Sequence, residues 1–338
     1  MFISNFARIQ LIFNMKKNLL FVILLILSLF GCKKDSNLLL DKSASLPAQE
    51  KLMSTGPMNN RYGLNNWMGS MGDQTEINNL SIPGTHDAGA RIEYVWGTAK
   101  CQDLSIYDQL NVGVRFLDIR CRHIGNAFTI HHGEVYQKLN FQDVLNVCYD
   151  FLNRNPSETI IMSVKEEHTP ASNNRSFEQT FDSYVKANPD KWNLEQSAGI
   201  LGKLRGKIKL MRRFGAQSIK GIDATRWWDN TTFDIQNYEG YMKVQDNYRV
   251  TNLNTKADQV RSHLFEARYY KANILYVNFT SGYKSRWLFG IPDITSVSNH
   301  MNPMLSGYLN ANRQGRYGII ATDFINEGLS RQIVNSNF

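Results

Sequence analysis

Two histidine-bearing segments carry the clearest chemistry in this chain. Ser81-Ile82-Pro83-Gly84-Thr85-His86-Asp87 runs a short apolar stretch into a Pro-Gly turn that presents a histidine and an aspartate together. His131 and His132 follow the next strand-like region. Histidine titrates near neutrality, at an ordinary pKa of about 6.5, so one such group can remove a proton while another donates one. Arg120 ends a run that also holds Asp118, and Lys165 and Arg213 follow two further runs. A guanidinium fork stabilises charge on a phosphoryl group without a metal. A calcium centre would instead want several converging carboxylates. Three cations in such positions predict a phosphate-bearing substrate. Structural ion pairing with Asp118, Glu166 or Glu167 is expected for one of them and not for all.

These residues must be positioned by the elements they end. Short apolar runs recur at Leu80–Ile82, Val114–Ile119, Thr159–Val164, Ile208–Met211, Ile274–Phe279 and Gly318–Ala321. Thr85-His86-Asp87 follows the first, Asp118-Ile119-Arg120 ends the second, Lys165-Glu166-Glu167 follows the third, Arg212-Arg213 the fourth and Asp323 the last. Between them, Phe141 to Leu152 places Phe141, Val144, Leu145, Cys148, Phe151 and Leu152 on one helical face before Asn155-Pro156, and Phe177 to Val185 is a weaker helical pattern. Strands alternating with helices predict an α/β fold with a parallel sheet, open or closed into a barrel. Polar residues gathered at the C-terminal ends of strands are where barrel active sites form. No linker, low-complexity tract or repeat interrupts the chain after about Trp67, which predicts one domain.

Composition sets the class. With 338 residues, 42% hydrophobic, 20% charged and 12% aromatic, the chain can bury a large core, and disorder is excluded. The formal charge is +8, of which Arg8, Lys16 and Lys17 lie ahead of the expected cleavage point. The remaining basic excess suits an anionic membrane or a phosphate-bearing substrate. No dense Lys/Arg stripe is present, so nucleic acid is not an expected partner. Met15-Lys16-Lys17 followed by the apolar run Leu19–Phe30 reads as an export signal, too short for a comfortable membrane span. Met15 is the better start. Leu29-Phe30-Gly31-Cys32 resembles a bacterial lipobox in which Cys32 is acylated. The expected division is a signal peptide over 1–31, a lipidated tether over 32–66 and a catalytic domain over 67–338, giving an exported lipoprotein at the outer membrane or cell surface. Cys101, Cys121 and Cys148 remain, an odd count that leaves at least one free thiol, and no CxxC or His/Cys spacing argues for zinc.

LSIPGTHDAGA, GVRFLDIRCR, TIHHGEVYQKLNFQDVLNVCYDFLNRNPSETIIMSVKEE, GKIKLMRRFG, VQDNYRV and GIIATDFINE occur in this order from Leu80 to the C-terminus. Together they resemble the bacterial phosphatidylinositol-specific phospholipases C, the X-domain family. The resemblance implies a single (β/α)8-like distorted TIM barrel and cleavage of phosphatidylinositol, or of a glycosylphosphatidylinositol anchor, to diacylglycerol and inositol 1,2-cyclic phosphate, with no metal or other cofactor. It further implies His86 as general base, Asp323 as the acid orienting it, His132 as general acid with Asp87 as partner, and Arg120 as the phosphate-stabilising arginine that stands where eukaryotic relatives place calcium. Lys165, Arg213 and Asp246 match residues that bind inositol hydroxyls, and Tyr248 the aromatic against which the ring packs. Trp96 and Trp287 match rim aromatics that touch the membrane, with Lys284 and Arg286 beside the latter. A monomer acting at a membrane surface is expected.

The chain departs from this pattern in its three cysteines, where Cys121 beside Arg120 predicts an oxidation-sensitive site. It departs also in the lipid anchor and in 215–239, where Trp227-Trp228 has no assigned counterpart. Two rivals remain. A glycerophosphodiester phosphodiesterase-like barrel would carry a His-Arg-Gly turn and paired acidic calcium ligands. A surface lipid- or glycan-binding lipoprotein on the same scaffold would bind without turnover.

Overall fold

The period of two along a strand decides which side chains meet at the centre of this fold. The computed structural model describes residues 63–338 apart from 238, 271–272 and 287–289. In chain order the strands are β1 (Ser81–Thr85), β2 (Phe116–Ile124), β3 (Ala127–His132), β4 (Val135–Asn140), β5 (Ile160–Glu166), β6 (Trp192–Asn193), β7 (Ile208–Arg213), β8 (Ile222–Asp223), β9 (Thr232–Asn237), β10 (Gly240–Gln245), β11 (Ile274–Phe279), β12 (Lys284–Ser285), β13 (Pro292–Asp293) and β14 (Gly318–Thr322). One 12-stranded sheet follows the path β6-β7-β5-β2-β1-β14-β11-β10-β9, with β3 and β4 extending from β2 and β8 flanking β7. The ladders along this path are parallel except the last, where β9 pairs antiparallel with β10. All six apolar runs identified in the sequence are strands of this sheet.

Side chains from strands far apart in the sheet share one interior. Ile82 (β1), Phe116 (β2), Ile161 (β5), Met211 (β7), Val244 (β10), Val277 (β11) and Ile319 (β14) belong to a single buried cluster, which is possible only if the sheet curls on itself. Leu117, Ile119, Met162, Val164 and Leu210, one residue along, pack outward under the helices Ile106–Asn111, Phe141–Arg154 and Phe177–Ala187. Buried on both faces, β1 and β14 show no exposed position, as parallel strands require. Among the described residues no ladder joins β9 to β6 or β8, so this TIM-like α/β barrel is distorted and open on that side.

The helix Phe141–Arg154 starts where Asp143 accepts a hydrogen bond from the Asn140 N–H (2.9 Å) and stops before Asn155-Pro156. Helices over Leu253–Tyr269, Ile294–Ala311 and Glu327–Asn335 cover the β14 side. The fold begins ahead of the expected Trp67 boundary. Arg115, fully buried and paired with Glu158 at 2.8 Å, donates to the carbonyls of Leu64 and Asn65, and Leu64 is itself buried. Removing one partner of such a buried pair costs about 3–5 kcal/mol, so this segment is part of the domain. The export signal, Cys32 and the tether up to residue 62 lie outside the described residues.

Candidate active site

Following the inner-face alternation toward the C-terminal half of each strand produces the site. Phe116, Asp118 and Arg120 follow one another on the inside of β2, as do Ile161, Ser163 and Lys165 on β5 and Met211 and Arg213 on β7. The register pairs Arg120 with Lys165 and Lys165 with Arg213, a row of three cations across adjacent strands. Thr85 pairs with Thr322, which brings the next residues, His86 and Asp323, together from 237 positions apart.

His86 is held on both ring nitrogens. Nδ1 lies 2.8 Å from Asp323 Oδ1, and Arg120 Nη2 lies 2.8 Å from Nε2. A guanidinium can only donate, so Nε2 accepts and the ring proton sits on Nδ1, donated to Asp323. This is the tautomer a base needs, although the Nε2 lone pair is occupied by Arg120 in this arrangement. Gln102 fastens the two strand ends by donating to the carbonyls of His86 (2.9 Å) and Thr322 (2.8 Å). The residues just after the pair, Asp87 (φ 37°) and Phe324 (φ 49°), both occupy the left-handed region, local strain of the kind that collects at functional sites. Burial pulls the His86 pKa down and Arg120 opposes a charge there, but the charge and hydrogen bond of Asp323, with a smaller pull from Asp118, leave it above the ordinary histidine value.

The three cations are all paired within the protein, which corrects the expectation of mostly free ones. Arg120 Nε lies 3.2 Å and Arg213 Nη1 3.4 Å from the two oxygens of Asp118, and Lys165 Nζ lies 3.0 Å from Glu167 Oε2. Glu166 is exposed and takes no part. Buried cations without counter-charges would be prohibitively desolvated, so the carboxylates arrive with them. Burial pushes Asp118 up, yet Arg120 and Arg213 hold it well below the usual carboxylate range. Glu167, raised by burial, is drawn down to about 2 by Arg120 and Lys165. Asp87 goes the other way, pushed by burial to about 6 against the pull of Arg120.

Of the two adjacent histidines, His132 lines the cavity, while His131 turns inward against Tyr136 with ring centroids 5.4 Å apart. His132 Nδ1 lies 2.7 Å from the Ala99 carbonyl. The expected direct Asp87–His132 pairing is not made: donor atoms of Asp87, Cys101 and His132 approach within 4.8 Å, but neither Asp87 oxygen has a hydrogen-bond partner among the described residues. The reason is the turn, which directs the Asp87 carboxylate toward Arg120, 3.8 Å away.

The cavity holds about 540 Å³ and brings together His86, Arg120, His132, Lys165, Arg213, Asp246 and Tyr248, all of the residues expected to act on substrate. Trp227, to which the sequence pattern assigns no role, forms the shelf under two of them. The Arg213 guanidinium stacks on its ring at 3.7 Å, and its Nε1 donates to Asp246 Oδ2 at 2.9 Å. Tyr248 is fixed through its hydroxyl to Asp229 (2.5 Å). Only the unassigned tryptophan doublet could have signalled this. At the rim, Tyr94, Val95 and Trp96 project into solvent, Trp96 being 64% exposed with Arg286 stacked on it at 4.6 Å. Glu93 gathers the N–H groups of Thr98, Ala99 and Lys100 (3.1, 3.4 and 3.2 Å), fixing the same loop that supplies the Ala99 carbonyl to His132. Trp287 lies outside the described residues. Cys121 packs outward in the core, fully buried, and burial pushes its thiol well above the usual cysteine range, which overturns the expected oxidation sensitivity. Cys101, Cys121 and Cys148 are all free thiols.

A barrel mouth with a carboxylate-held histidine, a second histidine and an arginine fork has the groups that general acid–base chemistry requires. Residues 81–214 match the family described as phosphatidylinositol-specific phospholipase C, X domain. A 1-phosphatidylinositol phosphodiesterase of Staphylococcus aureus is 32% identical over 298 residues, covering 80% of this chain and 94% of the relative. One of Listeria monocytogenes is 26% identical over 293 residues, covering 83% and 87%. Among solved structures, a variant of the Staphylococcus aureus phosphatidylinositol-specific phospholipase C superposes with a TM-score of 0.74 at 29% identity, covering 82% of this chain and 98% of that one. The chain belongs to the phosphatidylinositol-specific phospholipase C family.

Proposed function

We propose that this enzyme cleaves phosphatidylinositol by metal-independent phospholipase C chemistry, and the observation that carries the reading is His86 held between Asp323 and Arg120. His86 Nε2 takes the proton of the inositol 2-hydroxyl, whose oxygen attacks the neighbouring phosphorus. The bond from phosphorus to the diacylglycerol oxygen breaks, and His132 protonates that oxygen as it leaves. The products are inositol 1,2-cyclic phosphate and diacylglycerol. Attack within one molecule removes most of the entropic cost of bringing the reactants together. Each proton transfer contributes ~10²–10⁴-fold. Arg120, turning from His86 to the phosphoryl oxygens, stabilises the charge that develops there. Asp87, buried beside Arg120 and near His132, tunes that end of the site. Lys165, Arg213 and Asp246 bind ring hydroxyls, and Tyr248 packs against the ring. The names of the Staphylococcus and Listeria relatives, 1-phosphatidylinositol phosphodiesterase, support the substrate class.

Trp96, with Tyr94 and Val95, is the membrane-facing edge in this reading, and Trp287 is assigned membrane contact on the family resemblance alone. A lipid on Cys32 tethers the enzyme to the outer membrane or cell surface, with 1–31 removed. Acyl-labelling of the cell-expressed chain, lost in Cys32→Ser, tests the anchor.

The test of function is release of diacylglycerol and inositol cyclic phosphate from phosphatidylinositol vesicles in the presence of EDTA. His86→Ala and His132→Ala are expected to fold and to be nearly inactive. Vesicle binding without product would replace this reading with a lipid-binding one, and loss of activity in EDTA would end the metal-independent mechanism.

A further inference from the structure

Cys101 is fully buried beside the histidine–carboxylate cluster, and nothing in the proposed reaction uses it. Its sulfur lies within 4.8 Å of donor atoms of Asp87 and His132, and likewise of His86 and Asp323. We infer that Cys101, Asp87 and His132 form a binding site for a thiophilic divalent cation, Zn²⁺ or Cd²⁺, whose occupation switches the enzyme off. The switching half rests on the acid role proposed for His132, whereas the binding half does not.

The donor set is one thiol, one imidazole and one carboxylate, which suits zinc-like ions in three-ligand sites with a fourth position open to solvent. Hard cations such as Ca²⁺ want six or more oxygens and find one carboxylate here. The second, independent observation is Asp87 itself. It is 0% exposed, and both of its oxygens lack a hydrogen-bond partner among the described residues. Its unused lone pairs belong to the same small cluster as the sulfur and the imidazole. The alternative trio of His86, Cys101 and Asp323 is the poorer site, because binding there would break the 2.8 Å His86–Asp323 contact.

Bond lengths of ~2.0–2.3 Å in a tetrahedron place ligand atoms ~3.3–3.8 Å apart. The present 4.8 Å envelope therefore needs a contraction of ~1 Å, within reach of side-chain rotation. His132 lines the cavity and provides the entry. The Arg120 guanidinium, 3.8 Å from Asp87, opposes a dication, so affinity depends on the thiolate. On binding, the Cys101 S–H proton passes to solvent and a sulfur–metal bond replaces it, and the imidazole that would protonate the leaving group is captured. Asp87, Cys101 and His132 come from three different segments, which is why no ligand spacing is visible in the sequence.

The experiment titrates metal-free full-length protein with Cd²⁺, reading the ultraviolet cadmium–thiolate absorption and, in parallel, turnover of phosphatidylinositol vesicles. Expected are absorption saturating at one ion per chain and at least a tenfold loss of turnover, both reversed by EDTA. Cys101→Ala and Cys101→Ser are expected to keep basal turnover and to need ~10–100-fold more Cd²⁺ for either effect. No absorption in the wild type, or unchanged absorption in both Cys101 variants, overturns the site. Cys101-dependent absorption with full turnover retained overturns the switch. Should the metal-free protein show no turnover while the Cys101-dependent absorption appears, the proposed function fails and the site stands.

Discussion

Asp323→Asn separates two roles that an orienting carboxylate can play. In triads where an asparagine reverses the histidine tautomer, the loss reaches about 10⁴-fold. Here Arg120 Nη2 lies 2.8 Å from His86 Nε2. A reversed ring would point an N–H at that N–H, so before substrate binds the guanidinium keeps the proton on Nδ1 whichever residue stands at 323, and the substrate hydroxyl donating to Nε2 keeps it there once Arg120 turns to the phosphate. What the variant loses is the charge behind a 2.8 Å contact. A charge-assisted hydrogen bond is worth about 1.5–3 kcal/mol, which at about 1.36 kcal/mol per decade gives a ~10–150-fold fall in kcat/KM. The pH profile carries the second half of the prediction. His86 acts as a base only when neutral, so activity is lost as pH falls through its pKa, which burial lowers but Asp323 raises above the usual 6.5. Without that carboxylate, burial and Arg120 both lower it against only the smaller upward pull of Asp118, so the acidic limb must move to lower pH. Diacylglycerol release from vesicles between pH 5 and 9 measures both. A loss near 10⁴-fold, or an acidic limb that stays in place, would refute the argument that Arg120 sets the tautomer.

Three other substitutions probe the surroundings. Trp227→Phe keeps the ring under Arg213 but removes the donor to Asp246, so KM for phosphatidylinositol should rise several-fold with kcat little changed, as steady-state assays will show. Trp96→Ala removes an exposed rim aromatic, which predicts weaker vesicle sedimentation and normal turnover of a soluble inositol phosphodiester. Glu167 is depressed to about 2, so its contribution to stability is complete above the ordinary glutamate value near 4.3 and is lost as pH falls toward 2. Urea unfolding of Glu167→Gln should accordingly show a flatter pH dependence than wild type across that window.

What the sequence disclosed, and what it hid, follows from the range of each interaction. The strands are legible because β1 and β14 are buried on both faces and carry few charged residues, and the charged groups that follow them stand out against that background. The helix Phe141–Arg154 has an almost wholly apolar buried face and was equally plain. Leu253–Tyr269 escaped notice because Lys256 and His263 lie on its buried face and blur the period. Lys256 is accommodated there by the Phe279 carbonyl and Gln245 (2.7 and 3.0 Å), partners no local pattern announces. The hairpin β3–β4 was missed as well, since it is half exposed and short. Charge pairing was the larger blind spot. Asp118 serves Arg120 from its own strand and Arg213 from two strands away, and only the register reveals the second.

That pairing changes how the cavity must recognise an anion. A pocket of three free cations would attract any phosphate, whereas here the cations are already paired with Asp118 and Glu167, which offset most of their charge. Arg120 divides itself among His86, Asp118, Asp87 and Glu167 at 2.8, 3.2, 3.8 and 3.9 Å. Its contact with Asp118 locks the guanidinium from one side, so a phosphoryl group arriving on the other has only the His86 contact to displace. The same displacement frees the Nε2 lone pair at the moment a hydroxyl is delivered to it. On the proposed mechanism, substrate binding and activation of the base are thereby one event, and little reorganisation remains for the chemical step. A diester whose alcohol carries no adjacent hydroxyl would still release His86 but give it nothing to deprotonate, so such a compound should bind as an inhibitor and turn over at no measurable rate.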